Sequence, residues 1–144
     1  MKNIALTLLF IFASVFFSLA QVRMSGNKFI ETSGNDIAFE GVYEITITDS
    51  TLSFSYPSGM LRTAQYNQST GLFMRSEVLL PAFSFEIAKI KRFKSVAVWT
   101  IQLKNGNSAK LAFENGNPVS MWYYEGKGHQ ASYFFWGFNE NALK

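Results

Sequence analysis

The 144-residue chain contains no cysteine, which excludes a disulfide framework, a thiolate metal site and a thiol nucleophile. It has one histidine, His129, and two aspartates, Asp36 and Asp49. A metal site needs three or four good ligands, so a lone histidine is a poor basis for one. A Ser-His-Asp relay would have to recruit His129 with one of those two aspartates, and no segment resembles a nucleophile elbow. Glycine-rich phosphate loops, Rossmann fingerprints and calcium loops are absent as well. These absences predict a protein with no cofactor and no metal, and not an enzyme.

Targeting is the first thing present. Lys2 precedes an uncharged, mostly apolar run from Ile4 to Phe17, followed by Ser18-Leu19-Ala20. This is the pattern of a secretory signal peptide over residues 1–20 with a small-residue cleavage site. The alternative is an uncleaved anchor, because Asn3 to Val22 is just long enough to span a bilayer; a membrane partner is expected only then. The expected destination is periplasm, cell surface or medium. Without Lys2, twelve Lys and Arg face ten Asp and Glu, a formal charge of +2. That balance predicts no nucleic-acid partner.

Residues 21–35 are polar, glycine-containing and without clear period, and read as a flexible leader or strap. From residue 36 to 144 one all-β domain is expected. Ile37, Phe39, Gly41, Tyr43, Ile45 and Ile47 alternate with polar residues, the period of a half-buried strand. Asp49-Ser50 turns the chain into TLSFSY, pairing Ile47 with Leu52, Ile45 with Phe54 and Tyr43 with Tyr56. Further strands are expected near 60–66 and 72–80, and again from AFSFEI onward, where FEIAKIKRF allows at most one helical turn. Glycines at 106, 116 and 126 lie ten residues apart, the spacing of a meander whose hairpins share one kind of turn. With Lys104-Asn105-Gly106 and Glu114-Asn115-Gly116 as three-residue loops, one face carries Trp99, Ile101, Leu103, Ala109, Leu111, Phe113, Val119, Met121 and Tyr123. Consecutive hairpins predict a small antiparallel meander closed as an up-and-down β-barrel; a two-sheet β-sandwich is the alternative.

Met121 to Phe138 carries eight aromatic rings in eighteen residues. Strand parity assigns Tyr123, Tyr133 and Phe135 to the core face. Trp122, Tyr124, Phe134, Trp136 and Phe138 fall on the other face, which is polar one hairpin earlier. Five large rings on a face that meets water suggest either a covering segment or a binding platform. The expected function is therefore an exported, non-enzymatic binding module whose aromatic face contacts a glycan, an envelope component or a protein partner. A carrier of a small apolar ligand in the barrel interior, as in lipocalins, is the alternative. A carboxylate-dependent hydrolase built on Glu77 and Glu86 is a distant third. Two charged features complete the candidates. Lys89, Lys91, Arg92 and Lys94 form a basic patch, and Arg62 falls on the inward face if Pro57-Ser58-Gly59 is a three-residue turn, where it would anchor a carboxylate or an anionic ligand.

Overall fold

The computed structural model describes residues 21–32, 36–93 and 97–138; the segment 1–20, expected to be a signal peptide, and Lys94 lie outside them. Among the described residues the chain forms ten strands and no helix: β1 (Val22–Glu31), β2 (Ile37–Ile47), β3 (Thr51–Ser55), β4 (Met60–Asn67), β5 (Leu72–Leu79), β6 (Phe83–Phe93), β7 (Val98–Leu103), β8 (Ser108–Glu114), β9 (Asn117–Tyr124) and β10 (Tyr133–Trp136). Antiparallel pairing runs β1-β10-β9-β8-β7-β6-β3-β2, and β2 pairs back onto β1. Eight strands thus close an up-and-down barrel rather than a sandwich. The β4–β5 hairpin stands outside it, attached to β2 through Ala38 opposite Ala64 and Glu40 opposite Arg62.

The expected leader is in fact a barrel strand, since β1 bridges β10 and β2 and closes the ring. Its period is hidden by a bulge between Gly26 and Lys28. Met24 points inward before the bulge and Phe29 after it, so an extra residue flips the parity in mid-strand. Tyr43 lies over Gly26, where a Cβ would run into its hydroxyl. That hydroxyl donates to the Trp136 carbonyl at 3.3 Å, joining β2 to β10 across β1.

A second bulge, between Ile87 and Lys89, explains the helical look of FEIAKIKRF. Ile87 is buried and Ile90 packs against the same core, a spacing of three that mimics a helix face although the segment is strand to Phe93. A third bulge, between Ala112 and Phe113, accompanies a two-residue Asn115-Gly116 turn with φ of 50° and 79° in place of the expected three-residue loop. Together the two deviations preserve parity, so Leu111 and Met121 both stay inward as expected, now opposite one another. Val119, caught at the bulge, is exposed and Pro118 is buried instead. Lys104-Asn105-Gly106 does form the expected three-residue loop, with Gly106 at φ 92°.

The hairpin register from Ile47–Leu52 to Ile45–Phe54 is as expected, but Tyr43 pairs with Gly26 rather than Tyr56. The cause is β2 changing partners: residues 44–47 pair with β3 and residues 38–40 with β4. Gly41 sits at the change with φ 152°, and a Cβ there would strike the Leu61 side chain. The interior is aliphatic at the end holding the β2–β3 turn, where Ile45, Ile47, Leu52 and Leu111 are fully buried. It is aromatic at the other end.

Candidate functional site

At the aromatic end, inward positions of six barrel strands carry rings: Phe29, Phe39, Phe54, Phe85, Tyr123 and Phe135. They hold one another edge and face. Phe29 stacks between Phe39 at 4.7 Å and Phe135 at 4.9 Å, while Phe54 meets Tyr123 edge-on at 5.7 Å. Aromatic pairs at these separations favour offset and T-shaped geometry, so the walls are braced laterally and need not fill the centre. A cavity of about 320 Å³ remains between them.

The mouth is polar and fixed. Asn107, in the β7–β8 loop, donates Nδ2 to the Tyr123 hydroxyl at 2.7 Å and accepts the Gly126 amide on Oδ1 at 2.9 Å. Thr32 donates to the Ala131 carbonyl and Gln130 donates to the Thr32 carbonyl at 3.2 Å, pinning the 125–132 loop to the end of β1. Three phenols ring the opening. Burial, with a smaller contribution from Tyr133, pushes Tyr56 up to about 12. Burial also raises Tyr123 against the lowering pull of its Asn107 hydrogen bond, and raises Tyr133 with help from the carboxylates of Glu31 and Glu125. All three are therefore neutral hydroxyls at pH 7. Because Tyr123 accepts from Asn107, its own proton is free to be donated.

No protein-family model, curated protein or solved structure matches the chain. Chemistry alone has to rank the remaining candidates.

The expected platform residues divide. Trp122, Phe134 and Trp136 form one outer row, with centroids 5.0 Å apart for the first pair and 5.3 Å, nearly parallel, for the second. Tyr124 lies beside them on β9 under the Lys110 ammonium, 5.7 Å from the ring. Phe138 does not belong to the row. Gly137 takes φ 64°, strand parity ends there, and Phe138 turns onto the core, edge-on to Tyr43 at 6.4 Å. Of the outer rings Trp136 is the most open, at 37% exposure; the others shield each other. Trp136 also borders a cleft of about 510 Å³ between the barrel and the β4–β5 hairpin.

Arg62 is not inside. The chain leaves β3 to join β2, so Pro57-Ser58-Gly59 is no hairpin turn between β3 and β4. Leu61 takes the inward position, and Arg62 is exposed between Glu40 on β2 and Glu77 on β5. The basic patch also separates. Lys89 and Lys91 are exposed on β6 opposite Gln102 and Thr100, whereas Arg92 lies over the Trp99 ring at 4.7 Å and reaches Asp49 at 3.4 Å. Together with Phe113, packed 4.8 Å from Trp99, Arg92 caps the aliphatic end. Glu86 pairs with Lys104 at 3.0 Å and Glu77 lies on the outer hairpin opposite Arg62. His129 is exposed in the 125–132 loop. Among the described residues no three His, Asp or Glu side chains cluster as a metal site would need.

Sequence reasoning assigns none of the residues that line this pocket to a site, Phe54, Tyr56, Phe83 and Phe85 among them. A signal exists in FSY and FSF, rings two apart on neighbouring strands. It places them inward without telling whether their centre is filled.

Proposed function

We propose that this protein is a binding module, not an enzyme, and that it takes one small apolar molecule in the aromatic end of its barrel. The observation that carries this is the cavity of about 320 Å³ walled by braced rings and topped by neutral hydroxyls. Its size lies at the lower end of the range of ligand sites, and its make-up, apolar walls with a few converging polar groups, is theirs too. Eight-stranded barrels leave room for one such ligand. Charge narrows the class further: Glu31 and Glu125 act on the mouth, so a carboxylate or sulfonate would be repelled. An uncharged or cationic molecule with one hydrogen-bond acceptor for Tyr123 suits the site, and the ring faces favour a cation.

The test uses two dyes of one shape. N-phenyl-1-naphthylamine is uncharged, and 8-anilinonaphthalene-1-sulfonate carries the same rings with a negative group. The parent protein should bind the first and hold the second at least ~10-fold more weakly. Phe85→Glu, which puts a carboxylate into a half-buried wall position, should abolish binding of the uncharged dye while the circular dichroism stays that of the parent. Equal affinity of parent and variant, or no binding by the parent, would refute the interior site.

A second reading is favoured by the outer row ending at Trp136 beside the 510 Å³ cleft. Such a row supports contact with a glycan or protein partner, as stacked exposed rings do elsewhere. Trp136→Ala separates the readings, because it should leave dye binding unchanged and weaken only a partner held on the outside.

A further inference from the structure

β5 has a strand on one side only. It is the last strand of the sheet order, paired with β4 and, among the described residues, with nothing beyond, and seven of its eight residues are exposed. Closure gives every barrel strand two partners, so among the described residues β5 alone presents a long, open, apolar edge. Leu72, Phe73 and Leu79 are 65–67% exposed. Natural edges are protected by charge, proline, bulges or a cover, and β5 has no proline and no bulge.

We propose that the cover is a second copy of this chain, paired antiparallel β5 to β5 about a two-fold axis at Ser76. The register follows from the backbone and from charge. Thr63 Oγ1 donates to the Ser76 carbonyl at 3.4 Å, so that carbonyl is turned toward β4. Peptide groups alternate along a strand, which aims the amides and carbonyls of Phe73, Arg75, Glu77 and Leu79 at the free edge. A two-fold pairing must bring such residues opposite one another. Centring on Arg75 would set like cations opposite, and centring on Glu77 would set like anions opposite. Centring on Ser76 sets Arg75 opposite Glu77, twice. The same register places Phe73 against Leu79 and Met74 against Val78, again twice each. A surface that complements itself in both charge and apolar content is what an isologous interface requires, and opposite charges facing across strands stabilise the pairing where like charges oppose it.

Sedimentation velocity over a concentration series tests it. The parent should shift from monomer to dimer. Arg75→Glu, whose neighbour on β4 is the uncharged Ala64, should raise the dissociation constant about tenfold or more by setting the introduced carboxylate against Glu77 of the second copy. The absence of native cysteine allows a direct check of register. Ser76→Cys should give a disulfide-linked dimer under oxidation, because a non-hydrogen-bonded antiparallel pair sets its Cα atoms ~4.5 Å apart. Met74→Cys should not cross-link, since its partner in the second copy is Val78. A parent that stays monomeric, an Arg75→Glu protein that dimerises as the parent does, or equal cross-linking by both cysteine variants would overturn the proposal. Dye binding reads the barrel interior separately, so failure here leaves that reading standing.

Discussion

The two ends of the barrel interior are built from the same strands but from different side chains. At the closed end branched and flexible aliphatic chains, Ile45, Ile47, Leu52, Leu111 and Met121, are buried to 2% exposure or less. Arg92 over Trp99 seals them from water. At the open end planar rings on Phe29, Phe39, Phe54 and Phe135 are also buried at 8% or less, yet about 320 Å³ is left between the walls. Shape explains the difference. Aliphatic chains interdigitate and fill space to crystal-like density. Rings braced edge to face form stiff panels, and panels arranged around a circle leave its centre open. A barrel can thus be stabilised at one end and kept available at the other.

The sharpest way to break this comparison is to truncate one residue on the closed side. Leu111 is fully buried on β8, opposite both Trp99 and Met121. Leu111→Ala should cost ~2 to 5 kcal/mol in urea unfolding, the transfer free energy plus the unfilled hole. A loss below ~1 kcal/mol would show that the closed end is not tightly packed and that the contrast is one of residue type only.

How much of this contrast is legible in the sequence depends on whether strand parity survives. Between residues 99 and 123 it survives except at the Ala112–Phe113 bulge, where Val119 is exposed and Pro118 buried; Ile101, Leu103, Ala109, Leu111, Met121 and Tyr123 are buried as alternation predicts. Alternation fails at the three bulges, and two of them change how a whole segment reads. At Gly26–Lys28 the extra residue makes a barrel strand look like a leader, and at Ile87–Lys89 it makes a strand look like a helical turn. Arg62 is misplaced for another reason: a local turn, Pro57-Ser58-Gly59, is taken for a hairpin, while β4 in fact pairs with residues 38–40 of β2, 22 to 26 positions earlier in the chain. Local patterning carries no information on that partner. The candidate site is legible in the same partial way. The aromatic content of both faces is written in the sequence, but the gap between rings depends on how eight strands curve around one another, and no single strand encodes it.

A smaller effect tests whether the closed end is sealed by its polar cap or by its core. Arg92 contributes one half-exposed ion pair with Asp49 and one cation–π contact with Trp99. Exposed contacts of either kind are worth at most about 1 kcal/mol each, so Arg92→Ala should lower stability by no more than about 2 kcal/mol. Binding of the uncharged dye should not increase. A second dye site in this variant would show that the aliphatic end also hides a cavity, held shut by Arg92, and the two ends would then differ in gating rather than in packing.

The smallest effect is confined to alkaline solution and belongs to the open end. Tyr56 at the mouth is pushed up to about 12 by burial and by Tyr133, against about 10 in an unfolded chain. Below pH 10 both states keep the proton, and the neutral phenol contributes its full stability. Between pH 10 and 12 the unfolded chain releases the proton while the folded protein retains it. The unfolded state then binds fewer protons, so stability falls as pH rises through that window and the loss is complete above it. Tyr56→Phe keeps the ring and removes the titration. Its urea midpoint should match the parent at pH 7, and from pH 10 upward it should decline less steeply than the parent, without becoming flat. Tyr43, Tyr123 and Tyr133 are raised by burial too and continue to titrate. Identical decline in parent and variant would mean that the Tyr56 hydroxyl is open to water. The mouth would then be wider and wetter than braced rings allow, and the open end would lose the apolar character on which ligand binding rests.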